Sequence, residues 1–136
     1  MKNEPLLSVQ DLKVHFPLKR KFLIGKRSVV HAVDGVSLTI KRGTTFGIVG
    51  ESGSGKTTTA LAVMRLVPIT AGTIDLNGIQ IHELENDDLR KVRQHMQIIF
   101  QDPYSSLNPR VRAGAIIREP MDLMNVGAVS ERDDEV

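Results

Sequence analysis

The side chains and spacing of one short segment, Gly50 to Thr57, point most directly to a ligand. The segment reads Gly-Glu-Ser-Gly-Ser-Gly-Lys-Thr, which matches the pattern G-x-x-x-x-G-K-[ST]. In such a loop, glycines let the backbone approach phosphate oxygens without a Cβ in the way, and successive backbone N–H groups bind those oxygens. The sequence therefore predicts a site for a nucleoside triphosphate together with Mg²⁺.

Three polar side chains at the end of this loop and the start of the following helix have predicted roles. Lys56 is expected to place its ammonium on the β- and γ-phosphates, and it is a candidate catalytic residue. Thr57 is expected to offer its hydroxyl to Mg²⁺, and Thr58 to hydrogen-bond a phosphate; for both threonines the alternative is a helix N-cap. The other predicted cofactor-binding residues act through glycine flexibility or backbone amides: Gly50, Ser52, Gly53, Ser54 and Gly55.

The elements on either side of the loop must position it. The apolar run Thr45–Val49 predicts a buried strand, and the run Thr58–Leu66 predicts a helix. A helix that starts directly after the loop adds the positive end of its dipole to the phosphate site. Strand, glycine-rich loop and helix in this order are the context that the motif requires.

Elsewhere the pattern favours strands early in the chain and helices late. Asn77-Gly78 between two β-rich runs predicts a hairpin with a type I′ turn. The predicted strands are Leu6–Phe16, Val29–Ile40 with a bulge or turn at Asp34-Gly35, Thr73–Leu76, Ile79–Ile81 and a buried strand at Met96–Phe100. The predicted helices are a short one over 86–90 with Asn86 or Asp87 as N-cap, one over Val111–Met124, and the start of another from Val129.

Composition is that of an ordinary globular chain. Its 136 residues are 40% hydrophobic and 25% charged, enough for one small domain. The absence of cysteine excludes disulfides and cysteine-ligated metal. A net charge of +2 is too small to argue for nucleic acid. No apolar run approaches the roughly 20 residues that span a bilayer, and no signal peptide is expected at the N-terminus.

Two further features are given structural interpretations. The basic segment 19–27 is expected to be a solvated insertion between the strands of a hairpin, with contact to anionic lipid or RNA as the alternative. His15, His31, His82 and His95 show no metal-ligand spacing along the chain. All four histidines are therefore predicted to be structural or exposed.

Taken with the loop at 50–57, the later segment Ile98–Arg110 carries a family resemblance. The chain resembles the ATP-binding subunits of ABC transporters, because Gly50–Lys56 is followed by Gln101-Asp102-Pro103. The details are similar to the oligopeptide, dipeptide and nickel importer subfamily. They are found in Val30–Leu38, Ser105–Arg110 and Ile117–Pro120. The segment His15–Lys19 is similar to the second of the two ATPase subunits that such importers usually carry, or to the second half of a fused one.

This resemblance implies an α/β fold: a P-loop ABC-ATPase core with an antiparallel β flank over residues 1–109, then the start of a helical subdomain over 110–136. Nothing in the sequence resembles the signature motif, the second acidic nucleotide motif with its catalytic Glu, or the switch His. The chain is therefore expected to be a truncated, N-terminal part of the ATPase domain. Thr44, where the family usually has Glu, and Ala113-Gly114-Ala115 depart from the family pattern.

The resemblance also implies site residues beyond the loop. Gln101 would reach the water shell of the metal and sense the γ-phosphate, as a catalytic and metal-site residue. Phe16 would stack on adenine, with a core phenylalanine as the alternative. The loop from Tyr104 to Arg110 would face the membrane permease, with a locally packed aromatic as the alternative.

The implied function is ATP-driven import of peptides or similar small solutes. The implied partners are a second ATPase subunit in a head-to-tail dimer, the permease subunits and, indirectly, a solute-binding protein, with no nucleic acid. The protein would lie peripherally on the cytoplasmic face of the inner membrane. Two alternatives stay open: a non-transport ABC ATPase acting on ribosomes or DNA, and a nucleotide-binding fragment that cannot hydrolyse ATP because it lacks the general base.

Overall fold

The computed structural model describes residues 5–18, 28–102 and 107–132. The chain forms two compact units, Met1–Leu89 and Arg90–Val136. The basic segment 19–27 lies outside the described residues, as does Tyr104. The predicted boundary between nucleotide-binding core and helical subdomain after residue 109 stays a prediction.

The first unit is built on one antiparallel sheet with the strand order β2-β1-β3-β4. Strand β1 is central because it pairs with β2 on one side and β3 on the other, whereas β2 forms an edge. Helix α1 follows β2 in the chain and precedes β3. These elements span Pro5–Pro17 (β1), Val29–Lys41 (β2), Lys56–Val63 (α1), Ala71–Leu76 (β3) and Ile79–Gln80 (β4).

The core of this unit lies on one face of the sheet. Alternate residues of a strand point to opposite faces, and Val9, Leu12 and Val14 of β1 and Ile74 of β3 are buried. Helix α1 contributes the buried Ala62. The buried aliphatic side chains of the sheet and its flank are Val9, Leu12, Val14, Val33, Ile74 and Ile81.

Strand β2 carries two bulges opposite β1. The pairing moves from Leu12↔Val36 to Lys13↔Asp34, so Gly35 is an extra residue, and its φ of 82° is one that glycine adopts readily. The pairing then moves from Val14↔Val33 to His15↔His31, so Ala32 is a second extra residue. The bulge predicted at Asp34-Gly35 is confirmed, and the bulge at Ala32 adds one that the sequence did not indicate.

The predicted hairpin between β3 and β4 is also confirmed. Asn77 and Gly78 have φ values of 53° and 85°, and positive φ at both central residues is the requirement of a type I′ turn. The side chain of Asp75 accepts a hydrogen bond from the N–H of Gly78 at 2.9 Å. The strand ends at Gln80, and the next residue, Ile81, is fully buried.

The predictions of buried strands at Thr45–Val49 and Met96–Phe100 were wrong for the described structure. Neither segment forms a strand. Val49 is 93% exposed and Ile99 is 87% exposed. A strand is stabilised by a neighbour that completes its hydrogen-bond ladder, and within the described residues the only sheet is β2-β1-β3-β4. An apolar run without such a neighbour has no ladder to join.

The remaining helices are α2, over Asn86–Arg93, and α3, over Ala113–Met124. The first is longer than predicted, and the second agrees with the predicted span. Helix α3 ends at Met124. The C-cap residue that follows, Asn125, has a left-handed φ of 53°, as is common just after a helix. Residues 129–132 form turns and not the predicted helix start; the last four residues lie outside the described ranges.

Candidate nucleotide-binding site

The predicted phosphate loop leads directly into the N-terminus of α1. Gly55 is the N-cap residue, with φ 90° and ψ 4°, and α1 begins at Lys56. The first bond of the helical ladder runs from the N–H of Thr59 to the carbonyl of Gly55 at 2.8 Å. The backbone N–H groups of residues 56–58 therefore precede this ladder, as they do at every helix N-terminus. With no acidic residue in the first turn, this end of the helix favours an anion.

The ammonium of Lys56 is held by the loop itself. Nζ donates to the carbonyls of Gly50 at 2.8 Å and Glu51 at 2.6 Å, and lies 3.4 Å from Oγ of Ser54. These acceptors bring the positive charge back over the loop that precedes the helix. An ammonium has three donors and no acceptor, so it can exchange carbonyl oxygens for phosphate oxygens without leaving the loop.

Gly55 brings the loop into close contact with β2. A Cβ at this position would lie 2.3 Å from the carbonyl oxygen of Ala32, a distance that no side chain can adopt. Gly50 is also crowded, since a Cβ there would lie 2.8 Å from Oγ of Ser54. Packing against β2 therefore requires glycine at position 55, whereas a Cβ at Gly50 would have to displace only the Ser54 hydroxyl.

The polar residues around Lys56 take different places. Thr57 is exposed and Thr58 is half-buried. Because Gly55 is the N-cap, the N-cap alternative for these two threonines is wrong. The N–H of Ser54 donates to the carbonyl of Glu51 at 3.2 Å, whereas Ser52 is exposed.

Phe16 lies in the same unit as the loop. It pairs with Val30 near the end of β1, two residues along β2 from Ala32, and its side chain is half-buried. A fully buried core position is therefore not what the structure shows. Its role as an adenine platform stays a prediction.

Gln101 belongs to the second unit, so its position is described only within that unit. It is exposed and lies in a bend. Of the predicted permease-facing loop, residues 107–110 are described: Leu107 is 51% exposed, and Oδ1 of Asn108 accepts a hydrogen bond from the N–H of Arg110 at 3.0 Å. The roles of both stay predictions.

Comparison with known proteins identifies the family of this loop–helix arrangement. The family model described as ABC transporter matches residues 33–135. This chain belongs to the ABC transporter family. The match includes the phosphate loop, α1 and Gln101, and it confirms the family resemblance that the sequence motifs predict.

The relatives of this ABC transporter chain include importer ATP-binding proteins. The chain is 43% identical to the oligopeptide transport ATP-binding protein AppF of Bacillus subtilis over 98% of its own length and 41% of AppF. It is 41% identical to the glutathione import ATP-binding protein GsiA of Pectobacterium atrosepticum, over 98% of the chain and 21% of GsiA. The chain thus spans about two fifths of the length of AppF, and less of GsiA.

Solved structures confirm the predicted fold class. The dimeric structure of the ATP-binding cassette MJ0796 in a post-hydrolysis state, bound to ADP and Pi, is similar with a TM-score of 0.74 and 25% sequence identity. The match covers 94% of this chain and 53% of that cassette. The chain is therefore an α/β ABC-ATPase part with an antiparallel sheet. No helix within the described ranges has the length and apolar character needed to cross a bilayer.

Sequence reasoning missed two residues that support the loop of this ABC transporter chain. Ala32 supplies the carbonyl against Gly55, and Thr59 is 5% exposed and donates from Oγ1 to the carbonyl of Gly55 at 3.0 Å. Thr59 carried a usable signal, because threonine hydroxyls in helices often bond the carbonyl four residues earlier. Ala32 carried none, since a backbone contact between distant segments leaves no side-chain pattern.

The histidines show no metal-ligand spacing along the chain, yet two of them come together in the structure. His15 and His31 converge with Asp34 on the β1–β2 hairpin. The hydrogen bond from His31, followed by that from His15, lowers the pKa of the exposed Asp34 carboxyl below its usual value. Spacing along the chain did not reveal this cluster because two of its members lie on different strands.

Proposed function

We propose that this ABC transporter chain is the nucleotide-binding part of a subunit that uses ATP to drive import of peptides or similar small solutes. One observation carries the proposal: the ammonium of Lys56 is held over a glycine-rich loop at the N-terminus of α1. The printed names of the relatives, oligopeptide transport and glutathione import, support this class of cargo.

ATP and Mg²⁺ fit the residues that are present. The loop leads into a helix N-terminus that has no acidic residue in its first turn, and Thr57 is an exposed residue at the second position of α1. Thr57 would offer its hydroxyl to Mg²⁺, a hard cation that prefers oxygen ligands. The role of Gln101 as a catalytic and metal-site residue stays a separate proposal. When bound, Mg²⁺ would neutralise charge on the β- and γ-phosphates.

Different residues would bind the phosphates and the adenine of ATP. The N–H groups of residues 56–58 and the hydroxyl of Thr58 would bind phosphate oxygens, and the Lys56 ammonium would transfer from the loop carbonyls to the β- and γ-phosphates. The amides of Ser52 and Ser54, with the flexible backbone of Gly50, Gly53 and Gly55, would complete the cradle. Phe16 would stack on adenine, an interaction worth about 1–3 kcal/mol where aromatic side chains stack on nucleic-acid bases.

The steps of the transport cycle that follow ATP binding would involve the whole protein. A second ATPase subunit would join head to tail, and residues outside these 136 would supply the signature motif and the general base for hydrolysis. The segment Tyr104–Arg110 would contact the permease on the cytoplasmic face of the inner membrane, and a solute-binding protein would deliver cargo to that permease. Dimerisation is supported by the dimeric MJ0796 cassette.

The deciding experiment compares Lys56→Ala with Lys41→Ala in the intact protein that contains this chain. Lys41 is also in the first unit, but it lies at the end of β2 and is exposed. Lys56→Ala should weaken binding of a fluorescent ATP analogue at least about tenfold, as expected for the loss of a charge-assisted contact of about 1.5–3 kcal/mol. It should also abolish peptide uptake by cells, whereas Lys41→Ala should leave both unchanged.

Two results would contradict the proposal. Equal nucleotide affinity for both variants would remove the assigned role of Lys56. Normal nucleotide binding combined with co-purification of the intact protein with ribosomes, and not with membrane permease subunits, would replace transport by the non-transport alternative.

A further inference from the structure

Three potential metal ligands converge on the β1–β2 hairpin, outside the phosphate loop. One ligand atom from each of His15, His31 and Asp34 lies within 4.8 Å of the others. Nε2 of His15 is 3.3 Å from Oδ1 of Asp34, and Nδ1 of His31 is 3.4 Å from Oδ2 of the same carboxylate. The two imidazole centroids are 4.0 Å apart.

The bulge at Ala32 is what brings these side chains together. His31 and Asp34 are three residues apart, so on a regular strand they would point to opposite faces. The extra residue Ala32 restores them to one face, opposite the buried Val33. His15 pairs directly with His31 across the hairpin and therefore shares that face.

The donor atoms and their spacing suit a metal ion of the zinc type. Imidazole nitrogen and carboxylate oxygen bind Zn²⁺ at about 2.0–2.2 Å, which places neighbouring ligands of a tetrahedral ion about 3.3–3.6 Å apart. Each imidazole nitrogen lies at such a separation from one oxygen of Asp34, His15 at 3.3 Å from Oδ1 and His31 at 3.4 Å from Oδ2. One ligand atom from each of the three residues lies within 4.8 Å of the others. Imidazole favours Zn²⁺, Cu²⁺ or Ni²⁺ over Mg²⁺, so this cluster differs in kind from the proposed Mg²⁺ position at Thr57.

Two of the three side chains of the cluster are exposed to solvent. The side chains of His31 and Asp34 are 55% and 54% exposed, and that of His15 is 20% exposed. Lys13 shares the face, but its ammonium lies 3.7 Å from the carboxylate of Asp11. The backbone of His15 is anchored to Thr70, because its N–H donates to Oγ1 of that residue at 2.8 Å.

We propose that His15, His31 and Asp34 form a binding site for a divalent transition-metal ion of the zinc type, with water completing its coordination. The two ligands on β2 flank Ala32, whose carbonyl lies against Gly55 of the phosphate loop. A bound ion would therefore clamp the bulge that supports the loop. The inference does not depend on the proposed transport function, since it concerns only the hairpin.

The test is calorimetric titration of ZnCl₂ into the intact protein, stripped of metal and free of nucleotide. Wild type should show one saturable binding event. His31→Gln and Asp34→Asn should each weaken it at least about tenfold, the scale of losses seen even when groups behind the ligands are removed. His95→Gln is the matched control, because His95 is exposed and is not a member of the cluster, and it should leave the affinity unchanged.

Two additional measurements keep the test decisive if a variant folds poorly. His31→Cys retains a zinc ligand at this position and should bind Zn²⁺ more tightly than His31→Gln. In wild type, Zn²⁺ should shift the NMR signals of the His15 and His31 rings and leave those of His82 and His95 in place. No saturable binding, or affinities that are equal in wild type, His31→Gln and Asp34→Asn, would show a hydrogen-bonded cluster without a metal function.

Discussion

Gly55 satisfies two separate demands, a left-handed backbone and a close approach to β2. Its φ is 90°, and a Cβ there would lie 2.3 Å from the carbonyl oxygen of Ala32. Gly53 has a similar φ of 81°, but its Cβ would meet no atom within 4 Å. Comparing substitutions at the two glycines therefore distinguishes the free-energy cost of a left-handed backbone from that of the contact with Ala32.

We expect Gly55→Ala to destabilise the intact protein more than Gly53→Ala. Both variants incur about 1–2 kcal/mol for a left-handed alanine, and only Gly55→Ala must also displace β2 or the loop. Chemical denaturation of wild type and both variants measures the difference. Equal losses of unfolding free energy in the two variants would contradict the close contact with Ala32.

Arg132 and Asp122 form an ion pair in the second unit. Arg132 is 4% exposed, and its Nη1 donates to Oδ1 of Asp122 at 2.7 Å. Its other guanidinium nitrogens donate to the carbonyls of Val126 at 2.8 Å and Gly127 at 3.1 Å. One arginine thus ties the turn after α3 back to the helix.

This pair gives a pH-dependent prediction. The hydrogen bond from Arg132, with a smaller contribution from the charge of Arg118, lowers the pKa of the Asp122 carboxyl below its usual value of 3.8. A lowered folded-state pKa stabilises the fold above the unfolded pKa, and this contribution is lost as pH falls through the folded pKa. NMR titration of the carboxyl should show a lowered pKa that Arg132→Gln returns towards the usual value.

Arg118→Gln is the graded control for this titration. Nε of Arg118 lies 3.2 Å from Oδ2 of Asp122 on the same helix. Removing it should raise the pKa of Asp122 less than Arg132→Gln does. An Asp122 that titrates at its usual pKa in wild type would show that the ion pair is absent in solution.

At the scale of elements, the sequence predicted the helices and turns that depend on interactions between neighbouring residues. The hairpin at Asn77-Gly78 and the helix through Met124 agree with the prediction because turn residues and helical periodicity are encoded in neighbouring residues. The phosphate loop was also predictable, since its glycines and Lys56 act within one short segment. Its fit against β2 was not, because Ala32 contributes only a backbone carbonyl.

The strands predicted at 45–49 and 96–100 did not form. Their apolar, β-rich composition predicts strands, but a strand also needs a partner, and composition does not say where that partner lies. The His15–His31–Asp34 cluster was missed for a related reason. A bulge changes which residues share a face, and the nearest glycine to Ala32, Gly35, marks a separate bulge.

Hydrogen exchange should distinguish paired from unpaired segments. Residues 7–9 of β1 pair with both β2 and β3, whereas residues 45–49 lie outside the described sheet. Amides of 7–9 should therefore exchange far more slowly in the 136-residue chain, since exchange there requires opening of the sheet. Equal protection of the two segments would mean that 45–49 is paired after all.

At the scale of the whole molecule, the exposed apolar side chains of residues 45–49 and 96–100 are expected to promote self-association. Val49 and Ile99 are 93% and 87% exposed, and apolar surface left in water favours association. The isolated 136-residue chain should therefore self-associate at micromolar concentrations. Light scattering over a concentration series measures this association.

Matched variants test whether these side chains cause the association. Val49→Ser and Ile99→Ser should each weaken it about tenfold or more, because burying such a side chain contributes about 1.5–3 kcal/mol. Leu18→Ser is the control, since Leu18 is only 50% exposed and lies at the end of the β1–β2 hairpin. A monodisperse monomer at high concentration would contradict the prediction.

The bulges of β2 bear on the form that such association can take. β2 is an edge strand, and a straight edge offers an unbroken row of N–H and C=O groups onto which a strand of another molecule can add. The row on β2 is interrupted at Ala32 and again at Gly35, and each bulge increases the local twist. This edge is therefore a poor template for growth of an intermolecular sheet, so association of the chain should not proceed by addition of strands to β2.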